Sequence, residues 1–307
     1  MSEAHFRQFD RLTIWRRGDE RAPHKPLLAL WAIGRCLRGQ SRLADYDVVH
    51  RALLALLRTF GPPRKVFKPQ EPFWRLQKDG IWEVTRADEV PVQPNGSVTP
   101  TSLRTFKVRG GLREPLYAAL RQDSDAAFAI ALRIAEDHFA ETLRSAVLQA
   151  TLGDAEPGLQ ASWPDRQLPT LVSLRARRVR NPEFRTKVLR SYGHRCAVCN
   201  YSFEFPIGQW PALEAAHIRW HSHLGPDIAG NGLSLCALHH ELFDWGIFTI
   251  RPGSLRIQVA GIVLERLPEG PVTELHERQL RLVPKRDADR PAPGYLDWHR
   301  RNVFRDT

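Results

Sequence analysis

Two short pairs with the same spacing, Cys-Ala-Val-Cys at 196–199 and Cys-Ala-Leu-His at 236–239, constrain this chain more than any other feature. A pair with two intervening residues straddles a tight turn, and two such pairs supply the four sulfur and nitrogen donors of a tetrahedral site. Cys196, Cys199, Cys236 and His239 are therefore expected to hold a structural Zn²⁺. The alternative for such thiols is burial without metal, which is the expectation for Cys36, alone in an apolar helical pattern. His240 directly follows His239. On a helix of 3.6 residues per turn the two project about 100° apart, so they serve different partners.

The 307 residues give room for two domains of ordinary size, and 42% hydrophobic with 26% charged residues is a globular composition. Forty-five Lys and Arg against 34 Asp and Glu leave a net charge of +11. That sign suits an anionic polymer such as nucleic acid, although an arginine-rich composition alone produces it too. The start, MSEAHFRQFD, lacks the charged-then-apolar layout of a secretory signal, and no apolar run reaches bilayer length. A cytoplasmic protein without a membrane segment is expected, in a reducing compartment where cysteines are ligands or free thiols.

The patterning predicts an α+β chain of two domains: a mixed α/β domain over 1–148, a linker over 149–170 rich in Gly, Pro and polar residues, and a second domain over 171–307. In the first, PHKPLLALWAIGRCLRG reads as a helix beginning near Pro26, and DYDVVHRALLALLRTF as another. FWRLQKDGIWEV reads as a hairpin turning at Asp79-Gly80, and AAFAIALRIAEDHFAETLRSAV as one closing helix. In the second, the basic run LRARRVRN precedes Asn181-Pro182, an N-cap and first-turn proline for the helix EFRTKVLRSYG. WGIFTIRPGSLRIQVAGIV is strand-like.

EAAHI follows the first metal-ligand pair, NGLSLCALHHELFD contains the second, and GIFTI comes after it. The order His217, Asn231, His240 within this framework resembles the HNH, or ββα-metal, nuclease family over roughly 180–255. The resemblance implies an endodeoxyribonuclease with His217 as the general base that activates water, and His240 holding a catalytic Mg²⁺ or Mn²⁺ against the scissile phosphate. It implies that Asn231 fixes the loop and the base rather than touching metal. Asp244, four residues after His240 and so on the same helix face, is the expected second ligand of that metal. Many members carry a metal-binding Asp or His directly before the base, where this chain has Ala216. Glu214, three residues before His217 on a strand, is expected to face away.

The first domain, with HFRQF, RAPHKPLLAL, EPFWRLQKDGIWEV and VRGGL, resembles the sulfur-binding domain of phosphorothioate-dependent type IV restriction endonucleases over about 5–140. The resemblance implies a modified-DNA reader joined to the nuclease, acting on double-stranded DNA whose backbone carries sulfur in place of a non-bridging oxygen. Sulfur accepts hydrogen bonds poorly, so apolar surface can select it. Pro72 with Phe73 or Trp74 is expected to form that surface, although Glu71 stands where the family tends to place an aromatic residue. His24, Lys25 and Arg75, with Arg109 in a presumed VRGGL turn, are expected to contact the backbone. Each of these has a plainer role open to it: helix start, cap, hairpin core or solvated arginine. A homodimer is expected if both strands are cut.

Two other functions fit the same residues. One keeps the nuclease and changes its target to unmodified or base-modified DNA. The other is a zinc-organised DNA-binding protein without catalysis, in which Ala216 marks a lost metal site.

Overall fold

The structure, a computed structural model, describes residues 8–14, 16–17, 20–153, 182–204, 210–261 and 272–306. The run 174–181 with Asn181, the linker beyond 153 and the first residues of HFRQF lie outside these. The chain forms two compact units, 1–162 and 163–307.

The first unit opens with a two-residue ladder, β1 (Arg16–Arg17) with β2 (Glu20–Arg21). The helix α1 (His24–Leu37) follows, and Leu27, Leu28, Leu30 and Ile33 on it are completely buried. A helix apolar nearly all round belongs at the centre of its domain. After β3 (Leu43–Asp45) comes α2 (Tyr46–Phe60), whose buried Val49, Leu53, Leu56, Leu57 and Phe60 follow the helical period. The segment read as a hairpin is instead a helix, α3 (Gln70–Arg75), and a 3-10 turn, Leu76–Asp79. Gly80, at φ 77°, ends that turn in the left-handed conformation glycine favours. The Asp-Gly pair thus closes a helix rather than joining two strands.

The strand that follows, β4 (Trp82–Val84), is an edge of a three-stranded antiparallel sheet. Past α4 (Pro100–Thr105), the centre of that sheet is β5 (Arg109–Leu112), between β3 and β4. VRGGL is therefore a strand and not a turn. Its glycines make room: a side chain at Gly110 would lie 2.6 Å from the Phe73 ring. Then come α5 (Glu114–Gln122), α6 (Ser124–His138) and α7 (Arg144–Leu152). The presumed single closing helix is two, broken at Phe139, whose extended backbone (φ −128°, ψ 153°) ends α6. Arg38 donates to the carbonyls of Thr151, Leu152 and Gly153, capping α7 against α1.

In the second unit, α8 (Pro182–Ser191) lies against an antiparallel pair, β6 (Leu213–His217) and β7 (Gly232–Cys236), in register from Leu213 opposite Cys236 to His217 opposite Gly232. From β7 the chain turns directly into α9 (Ala237–Asp244), completing a ββα unit. The strand-like WGIFTIRPGSLRIQVAGIV makes a second pair, β8 (Phe248–Ile250) and β9 (Ile257–Val259), and α10 (Pro293–Asn302) closes the unit. Val188, Ala216, Leu233, Leu235, Phe243, Phe248 and Leu296 form its core. No described helix is long and apolar enough to cross a membrane.

Candidate functional site

The two cysteine-containing pairs converge. Asn200 N–H donates to Cys196 O, closing a turn, and Ala197 N–H donates to Ser234 O, pinning that turn to β7. Because β7 ends at Cys236 and α9 starts there, Cys236 and His239 fall one helical turn apart beside it. The donor atoms of Cys196, Cys199, Cys236 and His239 all lie within 4.8 Å of one another. Cys196 Sγ is 3.7 Å and Cys236 Sγ 3.1 Å from His239 Nδ1, and Cys199 Sγ is 3.9 Å from Cys236 Sγ. A tetrahedron with metal–sulfur bonds of ~2.3 Å and metal–nitrogen bonds of ~2.0 Å has edges of roughly 3.5–3.8 Å. The four residues fit a zinc ion. Cys36 has a different setting, fully buried with its thiol 3.6 Å from Tyr117 O.

His240 faces the other way. Its Nδ1 is 2.6 Å from Glu214 Oε2 and its Nε2 is 3.3 Å from Asp244 Oδ2. Glu214 thus joins the site, contrary to the expectation that it faces away. Alternation along a strand decides where a short side chain points, but the flexible glutamate reaches α9, which leaves β7 opposite Leu213, its neighbour. Asp244 is held on its other oxygen by Trp220 Nε1, at 3.0 Å. Burial by itself would drive the His240 ring toward neutrality, yet the Asp244 and Glu214 carboxylates outweigh it and push the pKa up to about 9. The ring lies between two carboxylates, one on each nitrogen, and a histidine with two carboxylates is a donor set suited to a divalent cation.

His217 stacks on Phe184 of α8 at 4.0 Å, and its Nε2 is 2.8 Å from Asp227 Oδ1. Burial lowers its pKa and Asp227 only partly restores it, so the ring is neutral near pH 7 with Nε2–H donated to the carboxylate. Nδ1 is then the basic nitrogen. The Asp244 charge also reaches His217, so the two histidine clusters share one electrostatic site.

Asn231 is completely buried, and its side-chain hydrogen bonds go to the loop backbone. Its Oδ1 accepts from Arg219 N–H at 2.8 Å, while its Nδ2 donates to Arg219 O and Pro226 O, both at 3.0 Å. It also accepts from Ile218 N–H through its own carbonyl. The amide therefore clamps both ends of the loop between His217 and Asp227. Of the loop histidines, His221 is exposed, with its ring 6.0 Å from that of His217. His223 is buried against Trp220 and Trp298 rather than solvated.

In the first unit the expected reader residues divide. Phe73 is fully buried, edge-on to Tyr46 and Trp82, and its ring is core rather than ligand surface. Pro72 is buried beside it, whereas Trp74 and Arg75 are partly exposed. Arg75 is paired with Glu71 at 2.6 Å, so the residue standing where the family has an aromatic neutralises the adjacent arginine. Lys25 forms a largely buried ion pair with Asp79, tying the start of α1 to the turn after α3. Its charge is already satisfied. His24 begins α1, and burial first, then the nearby Arg64, lower its pKa to about 4. Arg64 sits in the basic stretch RKVFK at 64–68. Arg109 is exposed and engaged by Asp45 at 3.3 Å and by Leu43 O at 2.8 Å.

Residues 2–154 match the family model described as ScoMcrA-like, DNA sulfur-binding domain, and residues 196–251 match the model of an HNH endonuclease. Among solved structures, the sulfur-binding domain of ScoMcrA complexed with phosphorothioated DNA is 29% identical, at a TM-score of 0.42, over 48% of this chain and 97% of that one. The type IV phosphorothioation-dependent restriction endonuclease ScoMcrA is 28% identical at a TM-score of 0.41. The match covers 54% of this chain but only 33% of that enzyme. The modification-dependent restriction endonuclease TagI is 25% identical at a TM-score of 0.31, over 44% of this chain and 43% of that one. The comparison with curated proteins gave no significant match.

Proposed function

We propose that this chain, which joins a ScoMcrA-like DNA sulfur-binding domain to an HNH endonuclease domain, is a restriction endonuclease that binds phosphorothioate-modified double-stranded DNA and hydrolyses phosphodiester bonds near the modification. The observation that carries the reading is the presence of both modules in one chain, with a neutral histidine and a carboxylate-flanked histidine on adjacent elements of the second. In this proposal the reader spans 1–148 and is carried to the end of α7 at Leu152, a reading supported by the cap that Arg38 of α1 places on that helix. The remainder of 149–170 is the linker, and the nuclease occupies 171–307.

In this reading His217 Nδ1 takes the proton from the attacking water while Asp227 holds Nε2–H and keeps the ring in that tautomer. Asn231 fixes the loop carrying Asp227. His240 and Asp244 hold a divalent cation, Mg²⁺ or Mn²⁺, with Glu214 as the further carboxylate. That cation supplies positive charge for the phosphate in the transition state. Cys196, Cys199, Cys236 and His239 hold a structural Zn²⁺ that fixes β7 and α9. In the reader, the partly exposed Trp74 is the residue best placed to offer apolar surface to sulfur. Lys25, Arg75 and Arg109 contribute charge near the backbone, Lys25 only if Asp79 releases it, while His24, neutral with a pKa of about 4, offers a hydrogen bond and no charge. The enzyme acts on cytoplasmic DNA, and a homodimer supplies one active site per strand.

The test is cleavage of two otherwise identical plasmids, with and without backbone phosphorothioates, in Mg²⁺ and then Mn²⁺, with His217→Ala as control. Cutting confined to the sulfur-bearing plasmid and lost in the variant is the expected result. Equal cutting of both removes the sulfur reader, and no cutting of either removes the nuclease.

A further inference from the structure

A cleft of about 920 Å³ opens in the nuclease unit between α8 and the segment 282–289. Five cations line it: Lys187, Arg190, Arg195, Lys285 and Arg286. Against these stand two carboxylates, Asp227 and Asp289. Asp227 is engaged by His217 at 2.8 Å, and Asp289 lies 3.7 Å from Arg286. Lys187 is paired only at 3.4 Å with Glu183 within its own helix. Arg190 and Lys285 are exposed and form no ion pair with any described residue. A concave surface with this excess of unneutralised positive charge focuses an anionic ligand.

Its position identifies the ligand. Asp227 is at once a wall of the cleft and the carboxylate that holds His217 Nε2. The helix bearing Lys187 and Arg190 also carries Phe184, whose ring stacks on the His217 imidazole at 4.0 Å. The cleft thus adjoins the base histidine, within reach of a backbone cut beside it. We propose that the cleft is the track for the DNA backbone flanking the scissile phosphate. It binds phosphates through Arg190, Lys285 and Arg286, independently of base sequence and of sulfur. The nuclease unit so acquires its own sequence-blind hold on the duplex, separate from the reader. This inference rests on the proposed nuclease function.

Counterion release makes it measurable: each phosphate contact contributes about 0.9 to the slope of log affinity against log salt. Binding of the full chain to an unmodified and a phosphorothioate duplex is followed by fluorescence anisotropy between roughly 50 and 200 mM salt. The variants are Lys285→Ala/Arg286→Ala and, separately, Arg190→Ala. We expect the slope on either duplex to fall by about 1.8 in the double variant and about 0.9 in the single one. The affinity ratio between the two duplexes stays as in the unaltered protein. Unchanged slopes in both variants overturn the proposal, as does a loss confined to the sulfur-bearing duplex. A ratio of one in the unaltered protein would instead overturn the sulfur-dependent reading while leaving the slopes to judge the cleft. Should the double variant fail to fold, Arg190→Ala alone decides.

Discussion

His217 Nε2 and Asp227 Oδ1 lie 2.8 Å apart across a loop of ten residues whose two ends are both hydrogen-bonded to the buried amide of Asn231. The base, its orienting carboxylate and the clamp form one small device. An Asp227→Asn amide can offer its N–H₂ to Nε2, which favours the tautomer with the proton on Nδ1 and removes the base. Nicking by Asp227→Asn should fall by roughly 10²-fold with DNA affinity little changed. Because Asp227 raises the His217 pKa, the acidic limb of residual activity should also move to lower pH. Unaltered rates across the pH range would reduce Asp227 to a surface partner.

Removing the clamp acts through the loop. Asn231→Ala deletes three side-chain hydrogen bonds, to Arg219 N–H, Arg219 O and Pro226 O, all partly buried, at about 0.5–1.5 kcal/mol each. Activity should drop sharply with zinc content unchanged. Retained activity with an unaltered melting temperature would show that the loop needs no such support.

Glu214 predicts a metal-concentration effect. Glu214→Gln keeps the length and removes one of the two carboxylates beside His240. The Mg²⁺ or Mn²⁺ concentration for half-maximal nicking should rise about 10–100-fold, the range found for residues that orient or support a metal ligand. An unshifted titration would leave His240 and Asp244 as the whole protein share of the site.

What could be read in the chain and what could not divide by the range of the interaction. The cysteine pairs, the separate facing of His239 and His240, and the helices α1 and α2 of the first unit follow from spacings within a few residues. Glu214 meets His240 across 26 residues, through a strand register and the exit of α9 from β7, which no local pattern encodes. The Asp79-Gly80 pair misled because a left-handed glycine ends a 3-10 turn as readily as it makes a hairpin. Gly110 and Gly111 read as a turn for the same reason, although here they let Phe73 and the β3 backbone approach the sheet.

The burial of Phe73 beside the partly exposed Trp74 separates fold from recognition in the reader. Phe73→Ala should destabilise the first unit by about 3–5 kcal/mol, as for a phenylalanine removed from a packed core. Trp74→Ala should cost far less stability and lower the preference for phosphorothioate over plain duplex. Pro72 is a poor probe, since a charged residue at this buried position would disturb the helix it packs. Measured melting and sulfur preference should therefore move independently in the two variants. A Trp74→Ala protein with full preference would place the sulfur contact elsewhere.

His299 sets a pH dependence for the second unit that is independent of the histidines assigned to catalysis. It is fully buried, donates Nε2–H to Phe243 O at 3.0 Å, and so must accept the Thr249 hydroxyl at Nδ1, 2.9 Å away. Accepting the Thr249 hydroxyl requires an unprotonated Nδ1, and burial lowers the ring's pKa to about 4 even though the Phe243 bond favours the charged form. The unfolded chain, with an ordinary value near 6.5, binds a proton in the window between, and the folded chain does not. Its stabilising effect is therefore complete above about pH 6.5 and is lost as pH falls, the loss reaching roughly 3 kcal/mol by pH 4. Zinc ligands also protonate in acid, so the comparison must be with His299→Gln, which keeps the metal cluster and lacks the titrating ring. Thermal melts from pH 7 to pH 5 should show the unaltered protein losing stability faster than the variant. Parallel curves would mean that the ring is already charged in the folded state and that the Thr249 and Phe243 contacts do not fix its tautomer.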